Sequence, residues 1–111
     1  MKTLSIVIPT YKSWDEIRRN FCHLTGLGSE LEVIIVDNVL KKTIPSGLPS
    51  CFTIIHEPIP GSYAARNAGI KKAAGRCVFF TDADCYIPVS TIRLLIDLSR
   101  ETSLVCSGPT R

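Results

Sequence analysis

Asp82 and Asp84 stand two residues apart, directly after the apolar run Cys77-Val-Phe-Phe-Thr81. Residues at i and i+2 on an extended chain point to the same side, so both carboxylates are expected to serve one ligand. Held that close, they repel unless a cation or hydrogen bonds compensate. A hard divalent ion, taking oxygens from one or two carboxylates and from substrate phosphates, answers that need. The plainer role for the pair is to close the turn before the next helix. What favours a ligand is the position of the pair at the end of a buried strand.

Other candidates occupy equivalent positions. Thr10 and Tyr11 follow the run Leu4-Ser-Ile-Val-Ile-Pro9, and Asp37 follows Leu31-Glu-Val-Ile-Ile-Val36. Arg66 lies in a segment opened by Pro60-Gly-Ser62. Arginine and a helix N-terminus both suit phosphate. Lys71, Lys72 and Arg76 read as a solvated helix face. His23 and His56 have no partner by spacing, and Trp14 and Phe21 read as packing residues. The GxSxG elbow, the P-loop and the GxGxxG signature are all absent.

These residues need elements to position them. The runs from Leu4, Leu31 and Cys77 are short, apolar and β-branched almost throughout, the pattern of strands buried on both faces. Cys51 to Ile55 reads as a further strand, and Leu104-Val-Cys106 starts a fifth. Ser13 followed by Glu16 is a capping-box pattern, and Ile17, Phe21 and Leu24 continue it as an amphipathic helix. Tyr63 to Ala74 reads as a second helix with a serine near its N-cap, and Val89 to Arg100 as a third. Leu40 to Ser50 carries loop chemistry. The alternation implies an α/β fold with a mostly parallel sheet flanked by helices and right-handed crossovers. In such sheets ligands sit beyond the carboxyl ends of the strands. Thr10, Tyr11, Asp37, Asp82 and Asp84 would then meet on one edge.

Composition narrows the classes. The chain has 111 residues, 45% hydrophobic, enough for one domain with a core of its own. Thirteen Lys plus Arg against ten Asp plus Glu give +3, with no basic stripe, so a small anion is expected and nucleic acid is not. Five cysteines without CxxC spacing read as reduced core thiols. With no signal-peptide core, and no apolar run near the roughly 20 residues that cross a bilayer, the chain is expected in the cytoplasm, at most peripheral at the inner face of a membrane.

Four segments together, Ser5-Ile-Val-Ile-Pro-Thr-Tyr11, Glu32-Val-Ile-Ile-Val-Asp-Asn38, Gly61-Ser-Tyr-Ala-Ala-Arg-Asn-Ala-Gly69 and Phe79-Phe-Thr-Asp-Ala-Asp-Cys85, resemble the nucleotide-binding half of family 2 glycosyltransferases. The resemblance covers nearly the whole chain. It implies a Rossmann-like GT-A fold in truncated form, with residues 1–111 as a single nucleotide-sugar-binding unit and the acceptor-binding half absent. It further implies that Pro9, Thr10, Tyr11 and Asp37 hold a nucleotide base, uracil. Arg66 would lie near base and phosphates, Asp82 would bind the ribose, and Asp84 would bind Mn2+ or Mg2+. The implied reaction is an inverting transfer from a UDP-sugar to a saccharide, lipid or protein acceptor. No residue of this chain matches the family's catalytic base. An exposed sheet edge left by truncation predicts self-association. The alternative from another class is a non-catalytic module of similar shape, binding nucleotide or protein. A signalling receiver would want acidic residues where this chain has Pro9-Thr10-Tyr11.

Overall fold

The computed structural model describes residues 2–42, 45–101 and 105–107. Each apolar β-branched run becomes a strand: β1 (Leu4–Thr10), β2 (Leu31–Asp37), β3 (Thr53–His56), β4 (Cys77–Phe80) and β5 (Val105–Ser107). The helices are α1 (Trp14–Phe21), α2 (Ser62–Lys72) and α3 (Val89–Ser99), with a 3-10 turn at Cys22–Leu24 extending α1. All five strands pair in parallel, in the order β3-β2-β1-β4-β5. The expected mostly parallel sheet is therefore parallel throughout these strands.

Side chains alternate across the sheet, so each strand feeds two cores. Leu4, Ile6 and Ile8 of β1 pack with Ile17 and Phe21 of α1 and with Ile92 and Ile96 of α3. Val7 points the other way and packs with Val36, Ala65 of α2 and Phe80. Helix α2 lies very close to the sheet. A Cβ on Gly69 would sit 2.3 Å from Val7 Cγ1, and one on Gly75 would sit 2.7 Å from the Ser5 backbone nitrogen. Ser5 Oγ donates to Glu32 Oε1 at 2.7 Å and accepts from Gly75 N–H at 2.8 Å, which fixes the exit of α2 over β1. Glycine is required at both places because backbone and side chain approach where a methyl would stand.

Several expectations are corrected. The Ser13 and Glu16 capping box does not form, because Ser13 has φ −105° and ψ 40°, away from the extended geometry a capping side chain needs. Ser13 Oγ instead donates to the Tyr11 carbonyl at 3.2 Å, while Ser13 N–H donates to Thr10 Oγ1 at 3.1 Å. At α2 the N-cap is Gly61, and no side chain caps it. The third strand begins at Thr53 rather than Cys51. Phe52 is drawn into the core beneath it, and Cys51 is left exposed. The connection from β2 to β3 crosses the α1 face, where Arg18 Nε–H donates to the Ser46 carbonyl at 2.6 Å. Of the described cysteines only Cys77 is buried, so the expectation of core thiols fails for Cys51 and holds in part for Cys22 and Cys85. Leu104 and the Cys106 side chain lie outside the described residues.

Candidate functional site

The chain runs outward from β1 to β2 to β3, then returns to place β4 and β5 on the other side of β1. Direction therefore reverses between β1 and β4, and in open parallel sheets a crevice forms there beyond the carboxyl ends. Val7 pairs with Phe80, and Thr81 N–H donates to the Val7 carbonyl at 3.2 Å. Beyond that point the end of β1 and the chain after β4 separate. Between them is an open cavity of about 310 Å³, lined by Pro9, Thr10, Tyr11, Ser13, Glu16, Asp82, Ala83 and Asp84.

Asp82 and Asp84 come together, but not by strand alternation as expected. They lie in a turn in which Cys85 N–H donates to the Asp82 carbonyl at 3.1 Å. The turn brings one ligand atom each from Asp82, Asp84 and Cys85 within 4.8 Å of one another. The two carboxylates offer the oxygen donors that a hard divalent cation takes, whereas the thiol is a soft donor that such an ion does not favour. Asp82 is half-buried and Asp84 exposed, so the outer carboxylate also faces an incoming ligand.

Thr10 and Tyr11 form the opposite wall. Thr10 is buried, with its hydroxyl engaged at the start of α1, whereas Tyr11 is 66% exposed. The bend after β1 passes through Lys12 at φ 57°, a left-handed conformation that costs a lysine energy and is held only where its surroundings fix it. The Lys12 ammonium sits 5.3 Å from the centre of the Tyr11 ring.

The remaining sequence candidates do not line this cavity. Asp37 ends β2 directly beside Thr10, and it is 1% exposed. Its neighbour Asn38 donates from Nδ2 to the Glu57 and Ile59 carbonyls at 2.9 and 2.8 Å, tying the loop after β3 to β2. The Arg66 guanidinium lies 5.8 Å from the centre of the Phe80 ring, two residues before Asp82. Lys71 and Lys72 are exposed, as expected, and border a separate groove with Ile55, Glu57 and Ile59.

The sequence reading missed Ser13, Glu16 and Cys85. The capping pattern points Glu16 to a helix start, and the lack of CxxC spacing groups Cys85 with core thiols although it adjoins Asp84. It also missed His23, whose Nε2–H donates to the Ile87 carbonyl at 2.7 Å, and His56, whose Nε2–H donates to the Val39 carbonyl at 2.8 Å. A carbonyl only accepts, so the proton on each Nε2 follows. Spacing carries no signal for contacts made across 64 and 17 residues.

Comparison with known proteins agrees with this fold. A crystal structure of S. aureus TarS superposes with a TM-score of 0.71 and 26% identity, covering 91% of this chain and 33% of that one. The glycosyltransferase AglE of Haloferax volcanii is 29% identical over 92 residues, covering 74% of this chain and 30% of its own length. YibD of Escherichia coli K12, an uncharacterized glycosyltransferase, is 31% identical over 109 residues, covering 91% of this chain and 31% of its own length. The chain thus spans about 30% of the length of the curated relatives it matches. Its parallel sheet with helices on both faces is the GT-A fold of its neighbours. The model of glycosyl transferase family 2 matches residues 5–111, and the chain belongs to that family.

Proposed function

We propose that residues 1–111 form a single donor-binding unit of a nucleotide-sugar-dependent glycosyltransferase. The observation that carries this reading is the cavity between β1 and β4, walled on one side by Pro9, Thr10 and Tyr11 and on the other by Asp82 and Asp84. In this reading the first wall, with Asp37 beside it, receives the uracil of a UDP-sugar. Arg66 serves base and phosphates, Asp82 holds the ribose, and Asp84 holds Mn2+ or Mg2+. The register that puts Thr10 next to Asp37 supports the base assignment. The grouping of Asp82 with Asp84 supports the metal.

Asp84 would hold a divalent cation, which when bound would supply positive charge to balance the departing diphosphate. The chain's own work is to bind and orient the donor, so that an acceptor hydroxyl reaches the anomeric carbon from the opposite side and inverts it. That hydroxyl must lose its proton to a carboxylate within hydrogen-bond reach. We assign that base, and the saccharide, lipid or protein acceptor, to the length of the relatives that this chain does not span. The reading places the reaction in the cytoplasm, at most peripheral at the inner face of a membrane. Among the described residues no helix is long and apolar enough to cross one.

Thermal unfolding with UDP and Mn2+ tests this directly. A ligand that binds only the native state raises stability by about 2.7 kcal/mol at a hundred times its Kd. The expected result is a rise in Tm with both present that exceeds the sum of their separate effects. An unchanged Tm would contradict donor binding and leave a non-catalytic module of the same fold.

A further inference from the structure

The acidic turn is anchored from below by α1. Ala83 and Ile87 are the buried residues of this turn, 8% and 2% exposed, and both belong to the core that α1 and α3 share with the sheet. The carbonyls of these same two residues are the ones that α1 and the 3-10 turn after it reach. Asn20 Nδ2–H donates to the Ala83 carbonyl at 3.0 Å, and His23 Nε2–H donates to the Ile87 carbonyl at 2.7 Å. Asn20 lies in the last turn of α1 and His23 in the 3-10 turn that follows, and their two bonds show that both present to the acidic turn. The His23 ring also stacks on Tyr86, with centroids 4.5 Å apart and planes 25° from parallel. Asp84 lies between the two anchored residues, and Cys85 folds back onto the Asp82 carbonyl.

We infer that Asn20 and His23 are positioning residues for the donor site: they clamp residues 83 and 87, and so fix the spacing of the Asp82 and Asp84 carboxylates. This rests on the donor-site reading given above. Neither residue lines the cavity, so each acts through the turn. A backbone carbonyl that loses its donor in a half-buried setting shifts to find another, and a two-residue acidic site follows its backbone. Groups that orient metal ligands from outside the coordination sphere typically change affinity by about 10- to 100-fold when removed.

The test measures Mn2+ binding in the presence of UDP, by loss of the free Mn2+ paramagnetic signal, and amide hydrogen exchange of residues 82–87 without ligand. The variants are Asn20→Leu, His23→Phe, which keeps a ring but no donor, and His23→Gln, which keeps a donor but no ring. Exposed Arg19→Ala is the control. Asn20→Leu and His23→Phe are expected to speed exchange at Cys85 and weaken Mn2+ binding by about tenfold. His23→Gln should recover most of the affinity, which a merely structural role for the ring would not predict. If one of Asn20→Leu and His23→Phe fails to fold, the other decides by the same two readouts. Folded donor-free variants with the exchange and affinity of the unaltered chain would overturn the inference. An unaltered chain that binds no Mn2+ with UDP would overturn the donor-site reading, and the exchange rates would still decide for or against the clamp.

Discussion

Thr81 and Glu30 show single residues acting at opposite ends of the sheet. The Thr81 hydroxyl, directly before the acidic turn, is buried with no hydrogen-bond partner among the described residues. An unsatisfied buried hydroxyl costs stability, so Thr81→Val is expected to raise unfolding free energy by about 1 kcal/mol in urea titration. A loss of similar size would show that the hydroxyl is satisfied in solution. At the other end, Glu30 accepts from Thr3 Oγ1 at 2.7 Å and from Arg100 Nε–H at 3.0 Å. These bonds, the Arg100 bond foremost, lower its carboxyl from the usual 4.5 to about 2. Its contribution is thus fully present above pH 4.5 and is lost as pH falls toward 2. A Tm profile over that window should steepen in the natural chain and flatten in Arg100→Ala, and equal profiles would contradict the pairing. Both groups are solvent-facing, so the effect is small. At this scale the closeness of Asp82 and Asp84 was legible in the sequence, because acids two residues apart stay near one another in a turn as on a strand. Glu16 and Cys85 were not, because a cap pattern and a general preference of cysteine for cores pointed elsewhere.

Among the elements, α2 owes its position to what it lacks. With glycine at 69 the helix axis comes close enough to β1 for Ala65 to be fully buried beside Val7. Gly69→Ala should therefore destabilise by about 1 to 3 kcal/mol through overpacking, despite the better helix propensity of alanine. Shortening its neighbour in the double variant Gly69→Ala with Val7→Ala should recover part of that loss. Chemical denaturation of the three variants checks this, and a stabilised Gly69→Ala would contradict the close approach. The same displacement would move Arg66 relative to Phe80. Most elements were legible from hydrophobic periodicity, since long apolar runs admit few alternatives. Their ends were less so. Helix α1 starts on the Thr10 hydroxyl rather than on a capping box, and β3 begins two residues late, because Phe52 is worth more in the core than at the head of a strand.

For the molecule as a whole, the parallel sheet places β3 at one edge and β5 at the other among the described strands. Ile54 of β3, 38% exposed, leaves apolar surface on the sheet face beside that edge. Unpaired edges of this kind seek partners. Small-angle scattering should show apparent mass rising with concentration, and a constant monomeric mass would contradict that. The α/β class and the meeting of the site residues at one edge followed from alternating strand and helix patterns. Strand order did not, because periodicity fixes which face is buried but not which neighbour a strand takes. Order is what sets β4 beside β1 and so brings Asp82 and Asp84 opposite Thr10 and Tyr11. The central claim is that this crevice binds a nucleotide through a metal held at Asp84. Calorimetric titration of UDP into the chain, with and without Mn2+ and repeated on Asp84→Asn, tests it most directly. Binding that requires Mn2+ and is abolished by the substitution is the predicted result. Binding of equal strength without the metal, or unchanged in Asp84→Asn, would contradict it.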